Sequence, residues 1–137
     1  MGDSLRFPLK AAAAAGILLA SAVSASAFTA CQVTDTGGID DNSFNQTAWE
    51  GVKQAMSELE IEGRFLESQA ETDYEANINS LLPECDLIVT VGFLLGDATK
   101  AAAEANPDQL FSIVDYAYDP PLPNVLGQVY ATDQAAF

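Results

Sequence analysis

The chain has no histidine, only five Lys and Arg together, two cysteines and one tryptophan among its 137 residues. Each shortage removes a class of chemistry. Without histidine there is no Ser–His or Cys–His pair to activate a nucleophile, and no imidazole to ligate a metal. Five cations stand against 20 Asp and Glu, a formal net charge of −15. Such a surface repels nucleic acid and anionic lipid, which need Lys/Arg patches. Most of those carboxylates read as a solvated acidic surface. No glycine-rich loop ends in the Gly-Lys-Ser/Thr of a phosphate cradle, and no dinucleotide fingerprint occurs. Hydrophobic residues, by contrast, make up 49% of the chain, enough to build the core of one domain at this length.

The most informative stretch runs from Asp35 through Gly37-Gly38-Ile39-Asp40-Asp41-Asn42-Ser43 to Phe44, Asn45 and Gln46. It follows a short apolar run and precedes an amphipathic one, so it reads as the turn from a first strand into a first helix. The two glycines permit a sharp turn. Ser43 with Gln46 three residues later has the form of a capping box, which starts the helix at Phe44. In an open parallel α/β sheet, ligands bind beyond the carboxyl ends of the strands, where this loop lies.

Strand and helix alternate along the rest. Strands are expected at 28–34, 64–67, 87–91, 110–114 and 125–130. Helices are expected at 44–60, from a cap at Thr72 or Asp73 to Pro83, and at 95–106, with a further one beginning at Asp133. On the first helix Ala48, Val52, Ala55, Met56 and Leu59 share one face, bordered by Trp49 as a packing residue. Leu87–Val91 is a continuous apolar run apart from Thr90, as expected of a strand buried on both faces. Pro120, Pro121 and Pro123 make 116–124 an irregular connection. The pattern implies an α/β fold: a parallel sheet of flavodoxin-like order 2-1-3-4-5 with helices on both faces.

Residues 1–27 read as an export signal. Arg6 and Lys10 precede an uncharged apolar stretch too short to span a bilayer, and Ala25-Ser26-Ala27 supplies a small-x-small cleavage pattern. Residues 28–137 are then the mature domain. Cys31 falls near the start of the first strand and Cys85 just before the third, which are neighbours in the expected order. Export permits a disulfide between them, the alternative being two buried thiols. Phe28-Thr29-Ala30-Cys31 faintly resembles a lipoprotein cleavage site, but lipidation at Cys31 would leave no first strand.

The run from Val33 to Gly51 resembles the opening of the basic-membrane-protein family of ABC-importer substrate-binding proteins, whose characterised members include purine nucleoside receptors. Asp86–Ala98, Phe111–Asp115 and Ala131–Phe137 match further motifs in the family's order. The resemblance implies the first lobe of a type I periplasmic-binding-protein fold, corresponding to an N-terminal fragment whose second lobe is absent. It implies a small solute ligand, a purine nucleoside, an ABC permease as partner, and a location at the outer face of the plasma membrane. No cofactor, metal or enzymatic activity is expected.

By the same resemblance, Phe44 would stack on the purine, Asn45 and Asp115 would bond base or ribose, Asp35 would hold sugar hydroxyls, and Gly92 would let the backbone approach the ligand. Thr132-Asp133 would stand at the same edge. Each has a plainer reading. Phe44 could be a staple of the helix start, Asp40 and Asp41 could merely favour its positive end, Asp115 and Asp133 could be loop caps, and Phe93 fits the core better than a ligand contact. Two other functions remain open. A receiver-like signalling domain shares the strand order but needs an Asp where Gly92-Phe93 follows the third strand. A secreted Mg²⁺-dependent hydrolase would use Asp35, Asp40 and Asp41.

Overall fold

The computed structural model describes residues 27–131. The expected export signal (all but Ala27), Thr132-Asp133 and the helix expected from Asp133 lie outside them. Five parallel strands, β1 (Thr29–Val33), β2 (Glu62–Leu66), β3 (Leu87–Val91), β4 (Leu110–Val114) and β5 (Val125–Gln128), form one sheet in the order 2-1-3-4-5. Parallel neighbours need long crossovers. Three are helical: α1 (Phe44–Leu59), α2 (Tyr74–Leu81) and α3 (Gly96–Ala105). The fourth, from β4 to β5, is the proline-rich connection and is irregular.

The apolar runs sort onto two faces. Cys31, Val33, Ile88 and Phe111 project to one side, where Ile78 and Leu81 of α2 and Ala98, Ala102 and Ala103 of α3 cover them. Ala30, Val89, Val91 and Val114 project to the other and meet Val52 of α1, with Ala48, Trp49 and Met56 at the margin. Trp49 packs edge-on against Phe65, ring centroids 5.1 Å apart, so it is a packing residue. Every residue of β3 after Leu87 is buried, as the apolar run implies.

Cys31 and Cys85 are joined in a disulfide within the first of these clusters. Cys31 is fully buried in β1, with its sulfur held in this bridge. The bridge links residues 54 apart, a loop whose closure contributes about 4 kcal/mol in a chain-entropy account.

Several local expectations change. Leu59 was expected on the covered face of α1 yet is 68% exposed, because the apolar side of α1 borders a groove. That groove, about 930 Å³, runs along α1 over β3 and β4 and is lined by Phe44, Ala48, Val52, Val89, Val114 and Tyr130 among others. Strand β5 ends at Gln128 rather than Tyr130, and Val129 and Tyr130 are exposed. The Asp73 carboxylate accepts the N–H groups of Gln69 and Ala70, both at 3.0 Å, so it closes the preceding turn instead of capping α2.

Candidate functional site

At the carboxyl edge of the sheet, Asp35, Gly92 and Asp115 follow the adjacent strands β1, β3 and β4 closely. The strand ends are tied to one another there: the Gly92 N–H donates to Val114 O at 3.0 Å and the Asp115 N–H to Gln128 O at 2.8 Å. Asp115 takes a left-handed conformation, φ 63°. The loop from Asp35 to Ser43 lies over the end of β1.

The loop is organised by carboxylates. Asp41 Oδ1 accepts the N–H groups of Ser43 (2.8 Å) and Gln46 (3.0 Å), and Oδ2 accepts that of Asn45 (3.1 Å). These are orphan donors of the first turn of α1. Asp41 therefore caps the helix, and the expected Ser43 cap is corrected: Ser43 makes no side-chain cap bond. Gln46 reaches back as expected of the reciprocal partner, but to the Asn42 N–H at 3.2 Å. Burial alone would raise the Asp41 carboxyl, but the backbone N–H groups of Gln46, Ser43 and Asn45 outweigh it and hold it below its ordinary value.

Asn45 is 1% exposed. Its amide nitrogen donates to Asp35 Oδ1 at 2.7 Å and Asp41 Oδ2 at 3.1 Å, and its carbonyl oxygen accepts the Asp35 N–H at 3.3 Å. Gln32, buried beneath, donates to the Asn45 backbone oxygen at 2.8 Å. The Asn45 side chain thus binds the loop to the helix, and its geometry is that of a brace.

Asp35 is half-buried. Its Oδ1 accepts from Gly37 N–H at 2.8 Å and from Asn45. Its Oδ2 has no hydrogen-bond donor among the described residues and faces Gly92, where a Cβ would come within 3.1 Å of it. Gly92 itself has φ 100°, a conformation that L side chains rarely adopt. Glycine is favoured here by the backbone, and a Cβ would also press the Asp35 carboxylate to shift by a few tenths of an ångström. Below the loop, Tyr74 is 3% exposed, and its hydroxyl has no hydrogen-bond partner among the described residues. Burial raises its pKa, the Asp35 carboxylate adds to that, and the proximity of Thr36 partly offsets it.

Phe44 opens α1 with 44% of its surface exposed, so it is not a buried staple. Phe93, read from the sequence as core, is 61% exposed: a 3₁₀ turn over Phe93–Leu95 follows Gly92 and buries Leu95 in its place. Tyr130 has no special signal in the sequence beyond ending an apolar run. The structure sets its ring 5.8 Å from that of Phe44, tilted by 50°. The site thus offers a free carboxylate oxygen, an exposed aromatic ring and a close backbone approach on one edge. The large groove reaches this edge at Ser43, Phe44, Val114, Gln128 and Tyr130, which line that end of it.

A family profile described as ABC transporter substrate-binding protein PnrA-like, Bmp, matches residues 28–137. The chain belongs to this family. A protein of Listeria monocytogenes named CD4+ T-cell-stimulating antigen is 40% identical over 98 residues, covering 67% of this chain and 28% of its own length. The ABC transporter nucleoside-binding protein BmpA of Lactococcus lactis is 36% identical over 110 residues, 77% of this chain and 31% of the relative. Among solved structures, the solute-binding protein of an Aeropyrum pernix ABC transporter system superposes with a TM-score of 0.69 at 30% identity, over 74% of this chain and 28% of that one. The chain therefore spans under a third of the length of these relatives. The parallel 2-1-3-4-5 sheet is the α/β lobe of a solute-binding protein of the Bmp family.

Proposed function

We propose that this chain forms the first lobe of an exported solute-binding protein that captures a purine nucleoside and delivers it to an ABC permease. The observation that carries the reading is the pairing of a half-buried Asp35, one oxygen already braced and the other free, with an exposed Phe44 ring on the same loop. A carboxylate oxygen of this kind accepts from ribose hydroxyls or an amino group. An aromatic face suits a planar base. Asp115 supplies a second acceptor from the neighbouring strand end, and Gly92 lets a ligand approach the backbone between them. Asn45 serves the same site by fixing Asp35, and its own contact with base or ribose is part of the proposal. The Lactococcus lactis relative, named as nucleoside-binding, supports the ligand class, and family membership supports a permease partner and export.

The two other readings have less behind them. Gly92-Phe93 provides no carboxylate after β3 for a receiver domain. In the hydrolase reading, both oxygens of Asp41 are already engaged by the start of α1, which leaves few free donors for Mg²⁺. Titration calorimetry with adenosine, guanosine, ribose and Mg²⁺ tests the assignment. Saturable binding of the nucleosides, with ribose far weaker, is expected; heat from Mg²⁺ and none from either nucleoside would overturn it.

A further inference from the structure

Strand β1 is flanked by β2 and β3, and Gln32 stands in register with Phe65 on one side and Val89 on the other. An apolar side chain would suit that row, yet the residue is a carboxamide, 0% exposed. Its Nε2 donates to the Asn45 backbone oxygen at 2.8 Å, and its Oε1 has no hydrogen-bond partner among the described residues. A buried acceptor left unpaired costs free energy, so Gln32 is a poor choice for stability alone. Helix α1 does not need the bond either. Asn45 is the second residue of α1, and its carbonyl already accepts the N–H four residues on in the helical ladder.

What the bond does is fix where Asn45 sits. The Asn45 side chain in turn holds Asp35: its Nδ2 donates to Asp35 Oδ1 at 2.7 Å, and its Oδ1 accepts the Asp35 N–H at 3.3 Å. The contacts close a circuit. β1 carries Gln32, Gln32 holds the main chain of Asn45, and the Asn45 side chain returns to Asp35 just past the end of β1. We infer that Gln32 is a positioning residue of the ligand site: by holding Asn45 it sets the Asp35 carboxylate, at a cost in stability. This rests on the nucleoside reading of the site for its consequence, though not for its geometry. A carboxylate braced in advance does not have to be ordered by the ligand it meets. Gln32 is fully buried, so it acts only through Asn45.

The test is Gln32→Met in the full chain, with adenosine as the probe. Met keeps the length of the side chain and has no N–H to donate. Gln32→Met is expected to weaken adenosine binding about 2- to 10-fold, the range of one lost hydrogen bond, while the melting temperature holds or rises. Unchanged affinity would overturn the inference. So would a loss of affinity that comes with a fall in melting temperature, which is what a packing role predicts. NMR supplies a readout that needs no ligand. The Asn45 carboxamide protons, held by Asp35 Oδ1 and Asp41 Oδ2, should shift in Gln32→Met toward the positions of a solvated amide. Those of Asn124, bound to the backbone oxygens of Ala103, Asn106 and Gln109, should stay where they are. Identical Asn45 signals in both proteins would sink the positioning role, and so would equal shifts at Asn124, the mark of a general loosening. Gln32→Leu is the second variant; if neither folds, the fold itself requires Gln32 and the inference falls. If the parent binds neither adenosine nor guanosine, the nucleoside reading falls and the Asn45 signals alone decide on Gln32.

Discussion

Asn45 Nδ2 and Asp35 Oδ1 meet at 2.7 Å, joining the first turn of α1 to the end of β1 across ten residues of loop. The bond determines which oxygen of Asp35 is engaged: Oδ1 is held, and Oδ2 is left to face Gly92 at the carboxyl edge of the sheet. It also explains how an acidic loop can be ordered, since its carboxylates accept from amide donors rather than repel one another.

Phe44→Ala should weaken binding of adenosine by about 1–3 kcal/mol, roughly 5- to 150-fold. Tyr or Trp at the same position should recover part of the loss. With 44% of its surface exposed, Phe44 should cost less stability on truncation than a fully buried aromatic, whose loss is about 3–5 kcal/mol. Calorimetry and thermal unfolding on the same variants check this; a large stability loss with unchanged affinity would assign Phe44 to packing.

Gly92→Ala combines a positive φ with a Cβ placed against Asp35 Oδ2. The backbone strain alone costs about 1–3 kcal/mol, measurable by urea unfolding. Displacing the Asp35 carboxylate should also reduce nucleoside affinity, whereas Gly51→Ala, with open space around it, should do neither.

Asp41→Ala should cost about 1 kcal/mol, as for loss of a helix cap, while Ser43→Ala should cost less. The Asp41 carboxyl is held below its ordinary value in the folded chain. Its stabilisation is therefore complete above the unfolded carboxylate value, about pH 4, and is lost as pH falls through the lower folded value. Acid titrations of stability should show a shallower fall below that pH for Asp41→Asn than for the parent.

The Cys31–Cys85 bridge should appear as a mass about 2 Da below that of the reduced chain, from loss of two hydrogens. Replacing both cysteines by serine should lower stability by about 4 kcal/mol. Two thiols that alkylate in unfolded, unreduced protein would contradict the bridge.

The strand order could be read in advance because each strand is a short apolar run between turn residues, and right-handed crossovers leave few arrangements for such a series. That order made Cys31 and Cys85 neighbours, and the bridge between them was expected on that ground together with export, two buried thiols being the alternative. The helix cap was misassigned because Ser43 occupies the usual position, and nothing in the sequence tells that Asp41, two residues earlier, reaches three N–H groups. Leu59 and Phe93 were misread for a shared reason. Periodicity and hydrophobicity report only that a residue would gain by burial, and among the described residues neither is covered. Tyr130 carried no signal at all, since its contact with Phe44 spans the chain from one end of the fold to the other.

The central place of β3 has a consequence for hydrogen exchange. Its backbone pairs with β1 on one flank and β4 on the other, and every residue after Leu87 is buried, so its amides are released only when the sheet itself opens. They should exchange last, while the amides of the exposed Val129 and Tyr130 should exchange among the first.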